Sequence, residues 1–448
     1  VLWFVFCVFK QTPFKTKMAT PDNGGWTDLF EKVGEILFTQ VSDGVPVYHL
    51  LIESVLFLLL TMVYLLPRVN KNIKSAADTL SDAEEDEMIA EWIPDPLVKE
   101  FSDTHGPLEK NLTVSGTVGT HVVINGASKL NLGSFNFLGF VGNKKIEDVS
   151  IKAARQYGIG SCGPRGFYGT IDCHLELEKR LAEFVGSEEA ILYSYGFSTI
   201  SSVIPAYCKR GDVVFYDKSI SFAIQKGLIA SRSKLVGFDH NDMVHLESLL
   251  KKQQVEEEKD PKKAAVTRKF IVVEGLYEYT GQIAPLDKLV DLKFKYKVRL
   301  FVEESMSFGV LGKTGRGITE HFGISIDKID AIAAGMGTAL GSIGGFACGR
   351  FYVIDHQRLS GAGYCYSASL PPLLASAAIK ALDMIVDSKG ALQSQLAANS
   401  KVVFDIAKEI QGMEIFGSPT TPVMHLRLSQ HALTRQEQEE VLADIVDQ

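Results

Sequence analysis

From about Gly119 onward, seven short apolar runs alternate with stretches of helical periodicity, and this alternation restricts the fold more than anything else in the chain. The runs are Ala190–Tyr195, Val213–Tyr216, Lys234–Phe238, Phe270–Glu274, Val298–Glu303, Ala331–Gly335 and Gly345–Cys348. Apolar runs of this length suit strands buried on both faces, and the helices between them supply the crossovers that parallel neighbours need. The expectation is an α/β domain with a mostly parallel seven-stranded sheet and helices on both faces. Beyond Pro371-Pro372, a long helix at Leu374–Val386 and apolar runs at Met413–Phe416 and Val423–Leu428 predict a smaller C-terminal α+β domain.

The 448 residues leave room for more than that sheet. Val47–Leu66 is largely apolar, carries Glu53 as its only charge and is closed by Pro67. At about 1.5 Å per residue it reaches roughly 30 Å, the thickness of bilayer hydrocarbon, so one N-terminal transmembrane helix is expected, with a buried core helix as the alternative. Arg68, Lys71 and Lys74 follow the run, whereas Asp22, Asp28, Glu31, Glu35 and Asp43 outweigh Lys32 before it. The positive-inside tendency then puts the C-terminal part in the cytosol, where the sequon at Asn111-Leu112-Thr113 stays unmodified.

The remaining segments follow from composition. Residues 1–17 are apolar ahead of any basic residue, the reverse of a signal peptide, and read as an extension upstream of Met18. Residues 18–46 carry Leu29, Val33, Ile36 and Leu37 at helical spacing and suit an interfacial helix. Residues 67–110 form an acidic linker that includes Asp82–Glu91, and Lys251–Lys269 reads as an exposed insertion. The large domain is set at 111–360 and the small one at 361–448, which ends inside the helical run Gln436–Val446 as though cut short.

A net charge of −8 argues against nucleic acid as a partner. The six cysteines have no CxxC spacing and the ten histidines no HExxH pair, so no metal site or disulfide framework is expected. Two short motifs mislead. Gly158–Gly163 matches GxGxxG but follows a helical stretch and runs into Pro164, where a dinucleotide fingerprint follows a strand and opens a helix. Gly312-Lys313-Thr314 imitates the end of a phosphate loop, but Ser307 stands where that loop needs its first glycine.

Six segments occur in an order that resembles the α-oxoamine synthases, pyridoxal phosphate enzymes that condense an amino acid with an acyl-CoA. They are Ser134–Gly139 (SFNFLG), Gly158–Gly169 (GIGSCGPRGFYG) with Thr170, His174, Leu177 and Glu178 after it, and Glu274-Gly275 with Gly281–Leu286 (GQIAPL). Glu303–Gly317 (EESMSFGVLGKTGRG), Gly341–Phe346 (GSIGGF) and Ser367–Pro372 (SASLPP) complete the set. The resemblance spans about residues 119–448 and implies a fold-type I pyridoxal phosphate transferase, class-II aminotransferase-like.

Four departures matter. The family's cofactor lysine falls on Thr338, and no lysine occurs between Lys328 and Lys380. Glu303 stands for the aspartate that pairs with the pyridinium nitrogen, and Met306 for the DEAH histidine. A stacking histidine expected within Asp217–Gly227 is absent, and Ser221 falls near its place. The resemblance therefore implies no catalytic residue in this chain, with pyridoxal phosphate held covalently by a lysine-bearing partner subunit.

This pattern of loss is similar to that of the non-catalytic subunit of a membrane-bound heterodimer in the family, located on the endoplasmic reticulum membrane. Family active sites lie between subunits. The resemblance assigns Cys162, Gly163, Pro164, Arg165, Gly166, Phe167 and Tyr168 to the wall of the partner's site, with Tyr364, Tyr366 and Ser367 as further candidates. In that role Arg165 would meet a carboxylate or phosphate, and the alternative is a merely structural turn. Two other functions stay open: a self-sufficient synthase using an unrecognised lysine, and a membrane scaffold that touches no active site.

Overall fold

The computed structural model describes residues 47–77, 81–94, 97, 113–429, 434, 436–438 and 440–442. The extension at 1–17, the segment 18–46 with its interfacial helix and the sequon asparagine Asn111 lie outside these residues, as does much of 436–446. The chain divides into two compact units, Val1–Glu109 and Lys110–Gln448.

In the first unit, the apolar run becomes part of a helix at Val47–Ala77. The expected transmembrane span needs correction: no helix among the described residues is long and apolar enough to cross a membrane. The large apolar members of Val47–Ala77, among them Leu51, Val55, Leu58 and Val63, are exposed. The acidic stretch Asp82–Glu91 is a second helix with no buried residue. Ser81 and Glu84 close its first turn by a reciprocal capping box.

The second unit opens with an exposed three-stranded antiparallel meander, β1 (Val114–Ser115), β2 (His121–Ile124) and β3 (Ala127–Leu130), which no apolar run announces. The seven strands expected from the sequence are all present and form one sheet: β4 (Glu189–Tyr193), β5 (Val213–Asp217), β6 (Lys234–Phe238), β7 (Lys269–Glu274), β8 (Arg299–Glu303), β9 (Ala331–Gly335) and β10 (Gly345–Gly349). Their spatial order is β4-β10-β9-β8-β7-β5-β6. Pairing is parallel from β9 through β8, β7 and β5 to β6. Only β10 runs against the rest, antiparallel to both β9 and β4.

The central strands are buried along most of their length, with Phe215, Val272, Leu300 and Ala333 fully enclosed. The Lys251–Lys269 stretch is mainly helical, within Met243–Lys259 and Pro261–Ala264. The small domain expected at 361–448 is not set apart. Its helix Pro372–Ser388 packs on helices Lys144–Tyr157 and Asp172–Val185 inside the same unit, while Met413–Gly417 (β11) and Met424–Leu428 (β12) pair as a two-stranded ribbon.

Both misleading motifs resolve structurally. Gly158–Gly163 follows helix Lys144–Tyr157, which ends at Gly158 with φ +81°, so no strand leads into it. At the Gly312–Thr314 loop, Thr314 and the nearby Arg316 spend donors on Glu320. The Thr314 amide lies 3.0 and 3.1 Å from the two Glu320 oxygens, the Thr314 hydroxyl donates at 2.8 Å and the Arg316 amide at 3.0 Å. Burial alone would raise the Glu320 carboxyl, but the Arg316 and Thr314 donors outweigh it and hold it below the usual range. Replacing Glu320 by Ala leaves these loop donors without an acceptor and is expected to cost about 2 kcal/mol in denaturant unfolding.

Candidate functional site

In open α/β sheets, ligands collect beyond the carboxyl ends of the parallel strands, and the family positions converge there. Glu274 ends β7 and Glu303 ends β8, opposite each other in register. Both are buried. Glu274 accepts from the Ser221 amide through Oε1, and from the Glu278 amide at 2.9 Å through Oε2. Glu303 Oε1 accepts from the Ser305 amide at 2.9 Å. Burial, then the neighbouring Glu303 charge, pushes Glu274 well above the usual carboxylate range. Burial likewise pushes Glu303 up to about 7, against the opposing pull of Ser305.

The residue after β8, Glu304, is equally enclosed. Its Oε2 accepts from the Ser307 hydroxyl at 2.7 Å and the Ile318 amide at 2.9 Å, while Oε1 has no partner among the described residues. Burial raises it too, to about 7.

Thr338 lies in the short helix Gly337–Leu340 that follows β9. Its hydroxyl donates to the Ser305 carbonyl, and the Gly335 amide donates to the Ser305 hydroxyl at 2.7 Å. The place of the family lysine is thus tied into the chain's own backbone. Met306 is buried and offers no useful donor or acceptor. Ser221 precedes helix Phe222–Ser231 and spends its amide on Glu274.

A covalently held pyridoxal phosphate needs an amine for the imine, a carboxylate kept ionised beside the ring nitrogen and a ring to stack on. The residues present at the positions assigned to those tasks do not fit it. Thr338 has no amine, and neither Ser221 nor Met306 is aromatic.

One histidine that the sequence reading missed does reach the strand ends. His240, just past β6, brings Nδ1 to 2.9 Å from Asp217 Oδ1, and its Nε2 lies 3.0 Å from the Thr280 hydroxyl. The Asn241 amide donates to Asp217 Oδ2 at 2.8 Å. Its distance in sequence from the expected Asp217–Gly227 window hid it, and periodicity gives no signal for such a return.

The glycine-rich turn and the SASLPP segment, far apart in sequence, are stitched together. The Ser161 hydroxyl donates to the Ser369 carbonyl at 2.8 Å, and the Ser369 amide and hydroxyl reach the Gly163 carbonyl at 2.9 and 3.0 Å. Gly169 must be glycine, because a Cβ there would fall 2.0 Å from the Gly163 carbonyl and 2.5 Å from that of Pro164. Within the turn, Cys162 and Tyr168 each hold φ at +59°, a costly left-handed conformation for side chains of their size.

Arg165 departs from expectation. It is buried and spends its charge inward, with Nη1 2.8 Å from Glu178 Oε1, Nη2 3.0 Å from Oε2 and Nε 3.0 Å from the Thr170 hydroxyl. Its guanidinium also lies 5.4 Å from the Tyr364 ring centroid. The reading of Arg165 as a free anion-binding cation is therefore corrected: a bidentate carboxylate of its own chain already occupies it. Cys162, Gly166, Phe167, Tyr168 and Tyr366 are exposed, Gly163, Pro164 and Ser367 half-buried and Tyr364 buried.

Aminotransferase class I and II, as a family, matches residues 127–446. Long chain base biosynthesis protein 1b of Oryza sativa subsp. japonica is 46% identical over 383 residues, which cover 85% of this chain and 77% of that protein. Serine palmitoyltransferase 1 of Dictyostelium discoideum is 42% identical over 397 residues, covering 88% and 80%. A serine palmitoyltransferase from S. paucimobilis, solved with a bound PLP–myriocin aldimine, superposes with a TM-score of 0.64 over 79% of this chain and 84% of its own; at 24% identity this likeness speaks for the fold. The matched span takes in the whole seven-stranded sheet, the paired strand ends and the stitched turn. By the family match and sequence identity together, the chain belongs to the class I and II aminotransferases, among the serine palmitoyltransferase 1 and long chain base biosynthesis protein 1 relatives.

Proposed function

We propose that this chain is the non-catalytic subunit of a heterodimeric serine palmitoyltransferase of sphingolipid biosynthesis. The enzyme condenses serine with palmitoyl-CoA to 3-ketodihydrosphingosine and releases carbon dioxide and free CoA. The observation that carries the reading is Thr338: it stands where an imine-forming amine is required, its hydroxyl is committed to Ser305, and the nearest lysines in sequence are Lys328 and Lys380. A lysine-bearing catalytic partner holds pyridoxal phosphate and supplies the pyridinium carboxylate and the stacking histidine. This chain supplies folding support and, through the Cys162–Tyr168 turn with Tyr364, Tyr366 and Ser367, a wall of the shared site. The complex works at the endoplasmic reticulum membrane with the sheet domain cytosolic, and the exposed apolar side chains of helix Val47–Ala77 support membrane contact.

Purified without its partner and mixed with pyridoxal phosphate, the chain is expected to show no pyridoxal-lysine absorbance. Borohydride reduction followed by peptide mapping should recover no pyridoxyl-lysine. A trapped peptide would instead make this chain a self-sufficient synthase.

A further inference from the structure

The Cys162–Tyr168 turn carries one ionisable cation, Arg165, and the structure uses up its charge internally. Glu178 takes two guanidinium nitrogens, Thr170 the third, and the Tyr364 ring lies against the guanidinium. What remains facing outward is Cys162, Gly166 and two large aromatic side chains, with Phe167 exposed to 73% and Tyr168 entirely so. Recognition of serine, a small zwitterion, requires charge-assisted hydrogen bonds, and this surface has no charge to offer. A long saturated chain requires apolar area, which is what it presents.

The turn is also over-determined. Glu178 Oε1 accepts from the Leu192 amide of β4 at 2.9 Å as well as from Arg165, so one carboxylate fastens the turn to the sheet. The Ser161–Ser369 and Gly163–Ser369 bonds fasten it to the SASLPP segment. Two non-glycine residues at φ +59° persist only where the surroundings enforce them.

We infer that Phe167 and Tyr168 form an apolar wall for the acyl chain of palmitoyl-CoA in the partner's site, and that Glu178, acting through Arg165, is the residue that positions this wall. The inference rests on the shared-site reading proposed above and narrows it to one of the two substrates. Glu178 touches no substrate; its effect on turnover is carried by the geometry of the turn.

The test uses the reconstituted heterodimer, with its assembly checked by size-exclusion chromatography. Phe167→Ser is expected to raise the KM for palmitoyl-CoA roughly tenfold, with kcat and the KM for serine changed by less than about twofold, and Phe167→Leu should recover most of that loss. Glu178→Gln keeps an acceptor for Leu192 but gives up the charge, and should raise the same KM. Thr170→Val, on an exposed residue, should do so more weakly. A rise in the KM for serine instead overturns the assignment to the acyl chain. A palmitoyl-CoA effect from Phe167→Ser with none from either Glu178→Gln or Thr170→Val leaves the wall and overturns the positioning role. Failure of both Phe167 variants to assemble makes the turn an interface anchor and overturns the wall. If the heterodimer assembles and no variant moves any constant, the shared-site reading falls as well; the non-catalytic assignment is judged separately, by borohydride trapping on the lone chain.

Discussion

Arg165→Ala is expected to lower the unfolding free energy by about 3–5 kcal/mol, because it strands the Glu178 carboxylate in the interior without its cation. Both side chains are nearly enclosed, at 5% and 10% relative exposure, so water cannot take over the lost partner. Chemical denaturation of the purified chain measures the loss directly. Arg165→Lys should recover only part of it, since a single ammonium cannot reproduce the paired bonds at 2.8 and 3.0 Å. Removing both charges together, as Arg165→Met with Glu178→Leu, should cost less than the single change. A residue of about 1–3 kcal/mol is expected to remain, because the Leu192 amide still loses its acceptor. A stability change below about 1 kcal/mol for Arg165→Ala would mean that the pair is open to solvent and that the turn is held by its serine contacts alone.

The second large effect is on pH. Glu274, Glu303 and Glu304 all have folded-state values above those of an unfolded chain, with Glu303 and Glu304 at about 7. For an acid raised in this way the neutral form is favoured by folding. Its stabilising contribution is complete below about pH 4.5 and drains away as pH rises through about 7. Each tenfold change in proton affinity between the folded and unfolded chain is worth roughly 1.4 kcal/mol. The thermal midpoint of the lone chain should therefore be lower at pH 8 than at pH 6, by an amount equivalent to about 2–4 kcal/mol. Glu320, held below its usual range, works in the opposite sense and loses its contribution only as pH falls below about 4.5. Glu304→Gln removes one titrating group while retaining an oxygen for Ser307 and Ile318, and should flatten the slope between pH 6 and 8. An unchanged slope would show that these carboxyls are ionised and hydrated in solution.

How far the sequence could be read depended on whether a residue's role follows from its neighbours along the chain. The seven core strands were legible because burial on both faces leaves uninterrupted apolar letters, as in Phe270–Glu274 and Val298–Glu303. Their direction was not, since Gly345–Cys348 reads the same whether it runs with or against β9. The meander β1–β3 was missed because its strands are short and largely exposed, with no alternation to betray them. Thr338 could be noticed because a missing amine is a property of residue type alone. The inward fate of Arg165 could not, since its partner lies 13 residues away, in the following helix. His240 escaped for the same reason: only the fold brings it back to Asp217. The apolar run at 47–66 told helix correctly, but no helix among the described residues is long and apolar enough to cross a membrane.

The reversed strand β10 has a consequence for synthesis on the ribosome. Among the described residues β4 has no neighbour in the sheet except β10, with Tyr193 facing Gly345, and the Ser161–Ser369 bond joins positions 208 apart in sequence. At about 5–20 residues per second, a nascent chain waits on the order of ten seconds or more after β4 emerges before the strand that pairs it exists. Throughout that interval β4 has no strand to pair with, so this edge of the sheet closes only after Gly345–Gly349 has emerged. A release fragment ending upstream of Gly345 would never complete the edge.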